Sequence, residues 1–121
     1  MAVNDEAATE THLDVTRAAE LIEAGALLID VRQPHEWEGG RLAGARHIEV
    51  NELTAAAGSI DRERPVLFYC RSGKRSAMAA EAFRQAGFDA YDLAGGIESW
   101  VAEGRPIEPA DGEVRAPLPP S

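Results

Sequence analysis

Two short apolar runs, ALLIDV at 26–31 and PVLFY at 65–69, restrict the fold of this chain more than any other feature. Each has the length of a strand and lacks the strict alternation of a strand with one wet face. Such runs suit strands covered on both sides. On either side of them the pattern changes to helical spacing, with Ala18, Leu21 and Ile22 before the first run and Ala79, Ala80, Phe83 and Ala86 after the second. Apolar strands alternating with amphipathic helices specify an α/β domain. The expected architecture is a central, mostly parallel sheet of about five strands with helices on both faces.

Punctuation along the chain fills in the remaining elements. A short edge strand is expected at 11–15, then a helix over 17–24 capped by Thr16 and ended at Gly25. A short helix is expected at 34–38 with Pro34 at its start, a strand at 45–48, and a helix over 52–57 capped by Asn51. A helix from Ser76 closes at Gly87, a strand covers 88–93, Gly95-Gly96 makes a tight turn, and a last helix at 97–103 stops at Gly104. Residues 1–10 read as a frayed polar tail and 11–107 as one folded domain. Residues 108–121 read as an idle, extended, proline-rich tail, since five of the seven prolines lie within 105–121.

At 121 residues and 45 % apolar composition, one self-sufficient core is expected. No apolar run approaches the length of a membrane helix. Residues 1–11 lack the basic flank and apolar stretch of a secretory signal, so the cytoplasm is the expected compartment. A net charge of −9 argues against nucleic acid and anionic membrane as partners. The single cysteine excludes an internal disulfide and zinc sites built on several thiols. No metal and no organic cofactor is expected.

Against that acidic background, three of the twelve basic residues fall within five positions of the cysteine, in Cys70-Arg71-Ser72-Gly73-Lys74-Arg75-Ser76. The order is strand, cysteine, short loop, helix. A helix start offers backbone N–H groups without intrahelical acceptors and the positive end of the helix dipole. In a parallel sheet this junction lies at the carboxyl edge of the strands, where ligands bind. Gly73 permits positive φ, so successive amides can converge as an anion nest. Arg71, Lys74 and Arg75 add charge where cations are otherwise unfavourable, which implies a compensating anion. These surroundings favour thiolate over thiol at Cys70 and make it a nucleophile for covalent catalysis. A thiolate in such a cradle suits either a sulfane sulfur or a phosphorus centre. The few residues of the loop suit a single sulfur atom better than a tetrahedral phosphate.

The sequence resembles the rhodanese family of single-domain sulfurtransferases over about residues 13–107. Leu28-Ile29-Asp30-Val31-Arg32 with His35-Glu36-Trp37 is similar to a first family signature, and Gly40-Arg41-Leu42-Ala43-Gly44-Ala45 with His47-Ile48 to a second. Residues 69–77 are similar to the active-site loop. Asp92-Leu93-Ala94-Gly95-Gly96-Ile97, with Trp100 and Gly104-Arg105-Pro106-Ile107, is similar to the C-terminal signature. The resemblance implies a three-layer rhodanese-like sandwich and a persulfide on Cys70. It also implies a six-residue loop that binds the transferred sulfur. Related phosphatases and arsenate reductases carry a loop one residue longer. Arg41 and Ala43 replace the family's usual His and Pro, which implies altered packing or rim charge.

The expected activity is that of a thiosulfate sulfurtransferase. A sulfane sulfur would move from thiosulfate or a related donor to cyanide or a thiol, with a protein acceptor as a further partner. The alternatives are a phosphatase or arsenate reductase on the same scaffold, and a sulfur-carrying or regulatory module with little free turnover. Substrate contacts are expected from Arg71, Ser72, Gly73, Lys74, Arg75 and Ser76. Asp30 and Arg32 are expected to support the site from the end of the first apolar strand, with Asp30 holding the loop through Arg75. Glu36 and Glu38 read as a solvated helix face and Gly95-Gly96 as a turn without chemistry. Trp37 and Trp100 read as packing residues, and His12, His35 and His47 as surface or structural histidines.

Overall fold

The run VLFY becomes the middle strand of a five-stranded sheet in the computed structural model, which describes residues 10–119. The strands are β1 (His12–Leu13), β2 (Leu27–Asp30), β3 (Arg46–His47), β4 (Val66–Tyr69) and β5 (Ala90–Leu93), arranged β1-β5-β4-β2-β3. All four ladders are parallel. Leu28 lies opposite Leu67 and Asp30 opposite Tyr69. The helices are α1 (Val15–Glu23), α2 (Pro34–Gly39), α3 (Leu53–Ala56), α4 (Lys74–Gln85) and α5 (Gly96–Ala102).

The two-residue period of β4 divides the core into two layers. Val66, Phe68 and Cys70 face a cluster with Ile29 and Val31, roofed by Leu53, Ala79, Ala80 and Phe83. Leu67 and Tyr69 face the other side, where Val15 and Ala18 of α1 meet Ile97 and Trp100 of α5. Both faces are covered at the centre of the sheet, which explains why β4 is apolar throughout. Among the described residues, no helix is long and apolar enough to cross a membrane.

Several elements begin where the sequence did not place them. α1 starts at Val15 with Asp14 as its cap, its carboxylate accepting the Arg17 N–H at 2.9 Å. Val15 is buried and belongs to the core, so the helix extends to include it, and Thr16 lies exposed inside the first turn. Asn51 is not a cap but lies inside a 3-10 turn (Val50–Glu52), which runs into the one-turn α3 and a second 3-10 turn, none of them with a side-chain cap. α4 starts at Lys74, two residues before Ser76.

The C-terminal segment lies along α2 in antiparallel sense. Arg41 and Glu108 exchange backbone hydrogen bonds at 2.9 and 2.7 Å, and the Glu113 N–H donates to the Gly39 carbonyl at 2.8 Å. Further on, Arg115 donates to the His35 carbonyl at 3.2 Å. The Gln33 side-chain amide accepts the Leu118 N–H at 2.7 Å and donates to the Leu118 carbonyl at 3.1 Å.

Candidate active site

A parallel sheet brings the carboxyl ends of β2, β4 and β5 to one edge, and the chain leaving them there enters α2, α4 and α5. Cys70 is the residue after β4 and is 1 % exposed. Its Sγ accepts the Gly73 N–H at 3.1 Å and lies 3.4 Å from Ser76 Oγ, which is also 3.3 Å from the Gly73 carbonyl. Gly73 adopts φ +111°, a conformation disfavoured for side-chain-bearing residues, and this turns its amide back onto the sulfur. A β-carbon there would also lie 3.1 Å from the Gly95 nitrogen. Among the described residues, the Gly73 amide is the one backbone donor within hydrogen-bonding distance of Sγ. The converging ring expected from the sequence is therefore occupied at one point.

The remaining loop amides are oriented by α5. Ile97 N–H donates to the Cys70 carbonyl at 2.9 Å, and Glu98 N–H donates to the Arg71 carbonyl at 3.1 Å. In a trans peptide the N–H points opposite to the preceding C=O, so the amides of Arg71 and Ser72 point away from α5. Within α4, Ala77 N–H bonds the Gly73 carbonyl at 3.0 Å, which leaves the amides of Lys74, Arg75 and Ser76 without an intrahelical acceptor. Gly95-Gly96 does more than turn the chain. It carries the α5 amides to the back of the loop, so closely that a Gly96 β-carbon would sit 2.3 Å from the Arg71 oxygen.

The cations take different roles. Lys74 is exposed beside the loop. Arg71 is half-exposed and faces Glu98 at 3.2 Å. Arg75 does not pair with Asp30 as expected. It donates to both oxygens of Glu36, at 2.8 and 3.1 Å. Glu36 is fully buried, which corrects its reading as part of a solvated helix face. Its carboxylate also accepts the Gln33 N–H at 3.1 Å. Burial alone would raise the Glu36 carboxyl. The hydrogen bonds from Arg75 and Gln33 and the charges of Arg75 and Arg32 outweigh that and hold it below the ordinary carboxylate value. Arg75 is held above its ordinary value, first by the Glu36 hydrogen bond, with a smaller contribution from the charge of Cys70.

Asp30 instead pairs with Arg32, and both are fully buried. Arg32 Nη2 donates to Asp30 Oδ2 at 2.7 Å and to the Gly40 carbonyl at 2.7 Å, and Nε donates to Asp30 Oδ1 at 3.0 Å. This pair ties β2 to the end of α2 and does not touch the loop cations by hydrogen bond. Next to it, Tyr69 Oη accepts the Leu42 N–H at 3.0 Å, and burial above all raises its phenol. Trp37 is packed between Arg41 at 4.8 Å and His47 at 4.9 Å, and Trp100 lies in the core, as expected of packing residues. Arg41 thus lies on Trp37 and the C-terminal segment. His47 Nε2 lies 2.7 Å from the Arg32 carbonyl, and His12 Nδ1 lies 2.7 Å from Asp92 Oδ1. Among the described residues, no three His, Cys, Asp or Glu side chains gather to hold a metal ion.

One signal in the sequence marks Glu36 as more than a solvated face. Glu36 stands three residues after Gln33 at a Pro-marked helix start, the spacing at which an acid reaches back to the cap amide.

Comparison with known proteins agrees with this geometry. The chain matches the rhodanese-like domain over residues 14–103. It is 42 % identical over 76 residues to the uncharacterised Bacillus subtilis protein YqhL, a match spanning 62 % of this chain and 60 % of that protein. It is 36 % identical over 96 residues to the thiosulfate sulfurtransferase GlpE of Pseudomonas paraeruginosa, covering 78 % of this chain and 84 % of that enzyme. A crystal structure of a rhodanese-related protein from Thermoplasma volcanium superposes with a TM-score of 0.76 at 33 % identity, covering 80 % of this chain and 96 % of that one. An all-parallel α/β sandwich with its cysteine loop at the carboxyl edge of β4 and a match across most of its length place this chain in the rhodanese-like family.

Proposed function

We propose that the protein is a sulfurtransferase that moves a sulfane sulfur from thiosulfate or a related anionic donor to a thiol or cyanide through a persulfide on Cys70. The observation that carries this reading is the Gly73 amide directed at Cys70 Sγ at 3.1 Å, at the N-terminus of a 12-residue helix. A donor and a dipole at that point stabilise negative charge on sulfur. In the first half-reaction the Cys70 thiolate attacks the outer sulfur of thiosulfate. The new S–S bond forms as the bond to the sulfite group breaks, and sulfite leaves with the electron pair. The persulfide keeps one negative charge, and the amides of residues 71, 72 and 74–76 are free to receive it. In the second half-reaction cyanide or a thiolate attacks the terminal sulfur and restores the Cys70 thiolate.

Ser72 and Lys74 line the approach for the anionic donor, and Ser76 supports Sγ from below. Asp30 and Arg32 support the edge of the sheet from which the loop springs. The 1 % exposure of Cys70 suits a slim donor whose terminal atom alone enters the loop. Action within the cytoplasm on a small donor, with residues 11–107 as the catalytic unit, completes the proposal.

Intact-protein mass spectrometry after thiosulfate treatment tests it. The expected result is a gain of one sulfur atom on the native protein, reversed by a reducing thiol and absent from Cys70→Ala. Hydrolysis of an aryl phosphate without sulfur uptake would overturn it in favour of phosphatase chemistry.

A further inference from the structure

The proline-rich C-terminal segment follows residues 33–41 in reverse, pairing 41 with 108, 39 with 113, 35 with 115 and 33 with 118. The contact is close enough to require missing side chains. A β-carbon on Gly40 would lie 2.9 Å from the Glu113 oxygen, and one on Gly112 would lie 2.9 Å from the Gly39 oxygen. The segment ends on Gln33, the cap residue of α2.

Gln33 carries two sets of hydrogen bonds in opposite directions. Its side-chain amide bonds both backbone groups of Leu118, at 2.7 and 3.1 Å, and its own N–H bonds Glu36 at 3.1 Å. Glu36 in turn grips Arg75 at two points, and Arg75 stands in the first turn of α4, directly after the Cys70 loop. A continuous line of contacts therefore runs from Leu118 through Gln33 and Glu36 to Arg75, at the start of the helix that follows the Cys70 loop. Glu36 is the acid paired with that cation, and the charge of Asp30 on the neighbouring strand end adds to the field it feels.

We propose that residues 108–118 form a strap that clamps α2, and that Gln33 is a positioning residue which, through Glu36, sets the Arg75 guanidinium beside the Cys70 loop. This role rests on the sulfurtransferase reading only for its kinetic consequence, since the placement of Arg75 is a property of the resting protein.

Two full-length variants separate the strap from the site. Gly112→Ala wedges the strap off without touching Gln33, Glu36 or Arg32, because the added methyl meets the Gly39 and Pro109 carbonyl oxygens at 2.9 Å. Gln33→Met keeps the stem and the backbone N–H and deletes the amide that holds Leu118. Arg75 side-chain nitrogen–proton resonances and thiosulfate kinetics are measured together with thermal unfolding. In both variants the Arg75 signals are expected to lose their protection from solvent exchange, and KM for thiosulfate is expected to rise about threefold or more with kcat within about twofold, the mark of impaired donor binding. Unchanged Arg75 resonances and KM in variants that only melt earlier would overturn the proposal and leave the strap purely structural. If the native protein takes no sulfur from thiosulfate, the proposed activity fails while the Arg75 resonances still decide the strap.

Discussion

Arg75 in the first turn of α4 grips the fully buried Glu36 of α2 through two hydrogen bonds, at 2.8 and 3.1 Å, and so fastens the helix that follows the cysteine loop to the helix that follows β2. Removing the carboxylate leaves Arg75 and the Gln33 amide without their acceptor. Glu36→Ala is expected to cost about 2–4 kcal/mol in urea unfolding at neutral pH, because a broken buried pair leaves a charge uncompensated. The folded state holds the Glu36 proton less tightly than the ordinary value of 4.5, so this contribution is present above that pH and is lost as pH falls below it. The stability gap between native protein and variant should therefore narrow in unfolding series as the pH is taken from neutrality to below 4.5.

Cys70→Ser is expected to abolish turnover and leave a folded protein, with unfolding free energy within about 1–2 kcal/mol of the native value. The hydroxyl inherits the Gly73 amide and the Ser76 neighbour. With the native protein, steady-state rates at several donor and acceptor concentrations should give parallel double-reciprocal lines, the ping-pong signature of a covalent intermediate. Intersecting lines would mean that both substrates bind before sulfur moves.

The part of the fold read directly from the sequence was the part made by uninterrupted local signals. β2 and β4 are short apolar runs buried on both faces, and the Cys70 loop is marked by its cations and Gly73. Glu36 was misread because its partner Arg75 is 39 positions away and its short helix is exposed at Glu38. Asp30 and Arg75 reach the same sheet edge, yet Arg32, two residues from Asp30, has the shorter path to its carboxylate. The α1 boundary moved because burial of Val15 outweighed the cap preference of Thr16. The proline content of the C-terminal segment indicates neither helix nor strand, and its docking is marked only by Gly39, Gly40 and Gly112, whose smallness has meaning once the segment is in place.

Gly96→Ala is expected to displace the loop and not merely to strain the turn. The residue has φ +62°, and its β-carbon would fall 2.5 Å from the Cys70 oxygen as well as against Arg71. Backbone strain of this kind costs about 1–3 kcal/mol, and loss of the Ile97 and Glu98 hydrogen bonds should reduce sulfur transfer by more than about tenfold. Activity assays alongside thermal unfolding would show whether turnover falls further than stability does.

Asp30→Ala is expected to destabilise the protein by about 3–5 kcal/mol in chemical unfolding, because Arg32 is then left charged in the interior. Asp30→Asn, which keeps acceptors for Arg32, should recover part of that loss. Equal effects of the two substitutions would show that the charge on Asp30 carries the whole contribution.

Asp92 lies buried in β5 beside His12, and burial raises its carboxyl above the ordinary 3.8, although His12 pulls the other way. The folded state then holds this proton more tightly, so Asp92 favours folding at pH below 3.8 and loses that advantage as pH rises through its raised value. Asp92→Asn should raise the melting temperature at neutral pH by a few degrees and have little effect near about pH 3.

Because the α5 amides fix the peptide planes behind Cys70 and Arg71, the proposed anion receptor takes its shape from main chain, and the outward side chains do not set that shape. Ser72 and Lys74, both exposed, stand outside that frame on the proposed approach of the donor. Donor preference can be re-engineered at those two positions without rebuilding the pocket, whereas no alteration at Gly73 or Gly96 leaves the receptor standing.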